Sequence, residues 1–151
     1  MSPLFLSVRI PPRWEQIEPL RRYVDECMKG AGESVAGRAS MVLQELLENA
    51  VKYGDLTAQI TVELDIQGSG KLEIRVRNRA QPARIAVLEK EFHRAVVGGG
   101  ADAQQAFARA LDRLRRLPQG ASMLGLPRIA MEAQLRLEVE GDYALLIARV
   151  E

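Results

Sequence analysis

The stretch from Met41 to Gly54, MVLQELLENAVKYG, constrains the fold more than any other part of the chain. In a helix with about 100° per residue, its apolar side chains fall within an arc of roughly 140°, which is wide enough to face a core. Glu45 and Asn49 lie one turn apart on the rim of that arc, and Lys52 lies just beyond them. An acid and an amide are therefore aligned where the buried face of the helix meets whatever covers it.

Length and composition predict one globular domain that spans residues 1–151. Of the 151 residues, 47% are hydrophobic and 27% are charged, which is typical of a soluble chain that buries a sizeable core. The formal net charge of +1 offers no general attraction to nucleic acid or to an anionic membrane. No stretch approaches the ~20 apolar residues of a membrane span, and the start of the chain lacks a signal-peptide pattern. We therefore expect a cytoplasmic protein.

Disulfide and direct metal chemistry are not expected from the residue types. Cys27 is the single cysteine of the chain, so it cannot form an internal disulfide, and its helical position is typical of a small buried side chain. His93 is the single histidine, and no cluster of cysteine and histidine has the spacing of a metal site.

Hydrophobic periodicity predicts a strand, two helices, a hairpin, three helices and a second hairpin. Gly54 is expected to end the central helix in a left-handed conformation. Because the strands are grouped in hairpins, we expect an α+β fold: a two-layer sandwich with a mixed, mostly antiparallel sheet and helices on one face. The predicted elements are strand Leu4–Ile10, helix Glu15–Met28, a central helix from Glu33 or Ser34 to about Tyr53, strands Thr57–Ile66 and Leu72–Val76, a helix that begins at Pro82 and stops at Gly98, helices Ala101–Leu117 and Leu124–Ala133, and strands Leu135–Glu140 and Tyr143–Val150.

The central helix also carries a recognisable motif. In an arbitrary helix, Glu45 and Asn49 would most simply form a solvated rim. Here the segment ELLENAVKY resembles the N-box of the GHKL ATPase superfamily, which contains histidine kinases, anti-sigma-factor serine kinases, gyrase B and MutL. That box has the form Glu-(three residues)-Asn-Ala-x-Lys-(His or Tyr), and every fixed position is matched by Glu45, Asn49, Ala50, Lys52 and Tyr53.

The first glycine box of that superfamily has a counterpart at the expected position in this chain, but the residues there differ from those of the family. The family has Asp-x-Gly-x-Gly after the strand that follows the N-box, whereas this chain has Asn78, Ala80 and Pro82 at those three positions. The Asn78 amide oxygen can still accept a hydrogen bond from adenine. A charge-assisted bond contributes about 1.5–3 kcal/mol and a neutral one ~1 kcal/mol, so the change alone is expected to weaken nucleotide binding roughly 2–30-fold.

The second glycine box, Gly-x-Gly-Leu at a helix start, is matched in part by the segment GASMLGLPRIA from Gly120 to Ala130. Met123 stands where the first glycine belongs, while Gly120 and Ser122 can supply unhindered donors to phosphate. Standing alone, this segment would be read as a flexible helix start. Between the two boxes, about Gln81 to Gln119, lies the region of the family's lid. Its arginines are read either as a solvated helix face or as a phosphate-sensing or docking face (Arg109, Arg113 and Arg116).

The resemblance implies a histidine kinase-like ATPase fold that binds ATP and Mg²⁺. Glu45 would then be the catalytic base, Asn49 would hold Mg²⁺ that bridges the phosphates, and Lys52 would steady the phosphate charge. Asn78 would contact adenine. The phosphate-binding positions would be Gly120, Ser122 and Gly125.

Two functions stay open at this point. The chain is similar to the small anti-sigma-factor kinases, and to bacterial regulators that accompany a PP2C-type phosphatase and a small phosphorylatable partner. That similarity implies a serine/threonine protein kinase whose partner is a sigma factor, an anti-sigma antagonist or a similar small regulator, and it implies pairing into a homodimer. The alternative is a non-catalytic module that has lost ATP and sequesters a partner protein. Neither function involves nucleic acid or a membrane.

Overall fold

The fold is that of a computed structural model, which describes residues 3–97 and 125–150. A short 3₁₀ turn, Trp14–Gln16, precedes α1, and a second one, Lys29–Ala31, follows it. In chain order, the helices and strands are β1 (Leu4–Ile10), α1 (Ile17–Met28), α2 (Glu33–Tyr53), β2 (Ile60–Ile66), β3 (Leu72–Arg79), α3 (Pro82–Val97), α4 (Gly125–Glu132), β4 (Gln134–Glu140) and β5 (Tyr143–Val150).

The described strands form one sheet in the order β1-β2-β3-β5-β4. All four neighbouring pairs in this sheet are antiparallel, so none of the pairs in the described ranges gives it a mixed character. The register places Leu64 of β2 beside Ile74 of β3, and Ile74 beside Ala148 of β5. Each of these three side chains is fully buried.

Alternating burial shows which side of the sheet the helices cover. Every second residue of β2 is buried, and β3 has the same pattern, because successive side chains of a strand point to opposite faces. The buried row shares one hydrophobic core with Val24 of α1, Leu46 of α2, Leu88 of α3 and Ile129 of α4. The predicted α+β two-layer sandwich is therefore confirmed.

The central helix α2 has the predicted bounds, but its end differs from the prediction. Gly54 follows the helix with φ −83° and ψ 167°, so it is extended and the predicted left-handed conformation is wrong. The reason for a glycine here is lack of space. A Cβ at this position would collide with the Ala50 carbonyl oxygen and would lie 2.9 Å from Nδ2 of Asn78.

Strand β3 is longer than predicted, and this extension matters for the site. The periodicity predicted an end at Val76, but the strand continues to Arg79 because Asn78 pairs with Ala144 and Arg79 pairs with Tyr143. Asn78 therefore lies inside the strand rather than in a loop. The predicted helix Ala101–Leu117 falls outside the described residues.

None of the helices in residues 3–97 and 125–150 combines the length and the apolar character that a membrane crossing requires.

Candidate functional site

The rim of α2 carries the predicted site residues in the arrangement that the helical spacing indicated. Glu45 is buried, with 8% of its surface exposed, and Asn49 and Lys52 are half-buried. The remainder of this helix side is apolar, since Leu43, Leu46 and Leu47 are fully buried. The solvated-rim interpretation is therefore wrong for Glu45.

The Glu45 carboxylate is paired with an arginine from a different part of the chain. Nη1 of Arg128, on α4, donates a hydrogen bond of 2.8 Å to Oε1 of Glu45. Burial raises the pKa of Glu45, and the neighbouring Glu48 carboxylate raises it further, while the charge and the hydrogen bond of Arg128 act in the opposite direction. The net result is a raised pKa, so this carboxylate takes up a proton more readily than an exposed glutamate.

Asn49 has an unused donor. Its Nδ2 is buried and has no hydrogen-bond partner in the described parts of the chain. A buried polar atom without a partner usually costs about 1–3 kcal/mol, and such atoms are uncommon enough to suggest a role in binding.

Lys52 lies beside a buried acid that the sequence analysis did not single out. Burial lowers the pKa of Lys52, and the carboxylate of Glu91 on α3 opposes that effect. Glu91 is 6% exposed and accepts a hydrogen bond of 2.9 Å from Nη1 of Arg94. Lys52 Nζ also lies 5.2 Å from the centre of the Tyr53 ring. The charged positions of the N-box-like motif are thus matched by opposite charges, Glu45 by Arg128 and Lys52 by Glu91.

Asn78 lies at the end of α2, away from Glu45. It is buried on the helix-covered row of β3, and it packs against Gly54. Its Nδ2 donates a long hydrogen bond of 3.4 Å to the Arg79 carbonyl. Gly54, which follows α2, comes nine positions after Glu45, a separation of about 13 Å along a helix axis. Asn78 and Glu45 therefore lie at different heights along α2.

The N-terminal end of α3 closes against the end of α2. Nη1 of Arg84, in the first turn of α3, donates a hydrogen bond of 2.9 Å to the Lys52 carbonyl of α2. Beside it, the backbone N–H of Asp55 donates a hydrogen bond of 2.6 Å to the Arg79 carbonyl at the end of β3. A cavity of about 280 Å³ lies at this junction. Pro82 begins α3 with an exposed side chain, so it does not fill the space. The cavity is lined by Val51, Lys52, Gly54, Asp55, Leu56, Gln81 and Arg84.

Several predicted positions cannot be placed. Gly120, Ser122 and Met123, like the arginines at 109, 113 and 116, lie outside the described residues. Gly125 is described and begins α4, the helix that packs on α2 and carries Arg128. The phosphate-binding role predicted for these positions stays a prediction.

Two charged residues of the site, Arg128 and Glu91, were not predicted from the sequence, although each had a signal there. Arg128 is the single charged residue between Arg116 and Glu132, and a lone cation in an apolar helix is seldom placed without a partner. Glu91 follows Leu88 by three residues, so it lies beside the apolar stripe of α3 rather than on its polar side. Both residues come from elements that follow β3, and both face the rim of α2.

Comparisons with known proteins identify similar folds and no family. No protein-family model matches the chain, and no curated protein sequence is similar to it. Solved structures do match. One is a chain of "The crystal structure of SiaB-SiaC complex from Pseudomonas aeruginosa", with a TM-score of 0.67 over 96% of this chain and 88% of that chain. The identity is 20%, so the chain is similar to that structure in fold.

Proposed function

We propose that this protein is a GHKL-type signalling regulator that binds ATP with Mg²⁺, weakly, and acts on a protein partner as a serine/threonine kinase. The observation that carries the proposal is the rim of α2, where Glu45, Asn49 and Lys52 follow the spacing of the N-box. Nδ2 of Asn49, which has no partner among the residues that the structure describes, adds to it, because a bound phosphate group would satisfy this donor.

The residues fit the nucleotide in part. Asn49 would hold Mg²⁺ through its amide oxygen, and Lys52 would face phosphate charge, while Asn78 would accept a hydrogen bond from the adenine amino group. When bound, ATP supplies the phosphoryl group for transfer, and Glu45 takes the proton of the accepting hydroxyl. A separate protein is proposed as the acceptor of the phosphoryl group. The similar fold of a chain from a two-protein complex supports this part of the proposal.

Weak rather than tight binding is proposed because of Asn78. Its Nδ2 donates to the Arg79 carbonyl, a bond that an ionised aspartate could not form. The amide at this position therefore suits the end of β3, while it gives up the charge that would strengthen a contact with adenine.

A thermal-shift titration with Mg·ATP tests nucleotide binding. At 1 mM nucleotide and a dissociation constant of 10 µM, mass action stabilises the folded state by about 2.7 kcal/mol. Asn49→Ala should abolish the shift. Gln44→Ala is the matched control, because Gln44 lies on the same helix and bonds only to Glu48 in the described ranges. No shift in the wild-type protein at several millimolar nucleotide would overturn the ATP-binding part of the proposal.

Transfer is tested separately. The protein that co-purifies with the chain is incubated with γ-labelled ATP, and label on its serine or threonine residues is expected. Glu45→Ala should retain nucleotide and lose transfer. If Glu45→Ala binds nucleotide and transfers at the wild-type rate, the assignment of Glu45 as base is wrong.

The second candidate is a non-catalytic module that sequesters its partner. It is favoured by the charge matching at the rim, because Arg128 already occupies Oε1 of Glu45 and Glu91 already faces Lys52. A partner that binds equally well with and without Mg·ATP, together with an absent thermal shift, would favour this candidate.

A further inference from the structure

The two oxygens of the Glu45 carboxylate have different surroundings. Oε1 accepts the 2.8 Å hydrogen bond from Arg128, whereas Oε2 has no hydrogen bond within the described ranges. The bond joins α2 to α4 across 83 positions of sequence, and the Glu45 side chain is 11% exposed while that of Arg128 is 44% exposed. One oxygen of this buried carboxylate is thus held by an arginine that extends to the surface.

We propose that Arg128 is a positioning residue for the catalytic base: by holding Oε1 of Glu45 it fixes the carboxylate and leaves Oε2 as the oxygen that accepts a proton. This inference rests on the proposed kinase function. A carboxylate held at one oxygen by an arginine loses rotational freedom about its last bond, and the remaining oxygen keeps a defined direction.

Arg128 also influences the protonation of Glu45, which must be ionised to act as a base. Burial is the largest influence on the pKa of Glu45 and raises it, and Glu48 on the same helix raises it further. Arg128 is the group that opposes them, and no charged side chain of α1, α3 or the described sheet contributes. Without Arg128, Glu45 would bind a proton more readily, and a protonated carboxyl cannot act as a base.

The proton balance follows from this arrangement. The partner's serine or threonine oxygen forms a bond to the γ-phosphorus, the bond to the β,γ-bridging oxygen breaks, and ADP leaves with that electron pair. The hydroxyl proton goes to Oε2 of Glu45. Arg128 exchanges no proton in this step and keeps its hydrogen bond to Oε1 of Glu45.

The test is a pH titration of the Glu45 carboxyl carbon by NMR in the full chain, with Glu45→Gln used to assign the signal. Arg128→Gln should move the midpoint to higher pH, and Arg128→Lys, which keeps the charge, should move it less. Arg136→Gln is the matched control, because Arg136 also pairs with a glutamate, at 3.0 Å from Glu138, on β4. It should leave the Glu45 midpoint in place. An unchanged midpoint in Arg128→Gln overturns the proposal.

A kinetic measurement separates the positioning role from a structural one. In the transfer assay, the ascending limb of the pH profile of kcat/KM should move to higher pH in Arg128→Gln, with Mg·ATP affinity unchanged. A limb that stays in place while transfer proceeds overturns the proposal. If the wild-type protein binds no ATP, the kinase function fails instead, and the NMR midpoints still decide whether Arg128 governs Glu45.

Discussion

At the scale of single residues, Gly37 in α2 and Gly54 just after it differ in the space that each leaves for a side chain. Gly37 lies inside the helix with open space around the position of a Cβ, whereas Gly54 is closed in by the Ala50 carbonyl and by the Asn78 side chain. Gly54 does not have a positive φ. Its conformation is therefore open to any residue, and the restriction comes from packing alone.

The substitution Gly54→Ala is predicted to destabilise the protein by about 1–3 kcal/mol, because backbone and the Asn78 side chain must move to admit the methyl group. Gly37→Ala, the control on the same helix, is predicted to stabilise it by roughly 0.5–1 kcal/mol through the lower entropy of the unfolded chain. Urea unfolding of both variants checks the pair. Equal effects from the two substitutions would contradict the close approach of Asn78 to Gly54.

At the scale of secondary-structure elements, α3 is an ordered, packed helix in a region where the resemblance implies a movable lid. The resemblance placed a lid in this region, but α3 contributes Ile85, Leu88 and Ala95 to the buried set. Arg84 ties its first turn to the end of α2. A helix held in these two ways is part of the packed layer over the sheet.

Substitutions at two adjacent positions of α3 test whether this helix is packed against the core. Leu88 is 2% exposed and Val87 is 48% exposed. Leu88→Ala should therefore cost about 2–5 kcal/mol, while Val87→Ala should stay within about 0.5 kcal/mol of the wild type. The free energies of unfolding come from urea titrations. If Leu88→Ala were as mild as Val87→Ala, α3 would be a loosely attached lid after all.

The elements that were predicted well are those in which periodicity and terminal signals agree. Strand β1 and helix α2 have the predicted bounds, because Pro11 follows β1 and a glycine lies at each end of α2. The end of β3 was missed, since Asn78 and Arg79 break the apolar alternation and are held by pairing with β5. A partner strand 64 or more positions away leaves no trace in local periodicity.

Only the part of the candidate site that lies on α2 could be predicted from the sequence. Helical spacing placed Glu45, Asn49 and Lys52 on one rim, because that spacing is a local property. The residues that cover the rim come from distant parts of the sequence. The pairing of Glu45 with Arg128 and the approach of Glu91 to Lys52 depend on how α4 and α3 pack on α2, and a single sequence does not specify that packing.

At the scale of the whole molecule, the described helices and the sheet share one hydrophobic core. The buried cluster is continuous from Ile10 of β1, through Leu43 of α2 and Ile74 of β3, to Val150 of β5. Layers that share their buried surface cannot separate without exposing it to water, which is the condition for cooperative unfolding. A site between the rim of α2 and its covering helices would therefore be lost in the same transition as the sheet.

We predict that the helices and the sheet unfold together. Ile74 is fully buried in the central strand β3, so Ile74→Val should lower the free energy of unfolding by about 0.5–1.5 kcal/mol. Circular dichroism at the helix band and infrared absorption at the strand band should give the same urea midpoint, shifted equally by the substitution. Val139→Ala, on the edge strand with Val139 41% exposed, should leave both midpoints nearly unchanged. A shift confined to the strand signal would mean that the helical layer is stable without the sheet, and that the rim of α2 does not depend on the core beneath it.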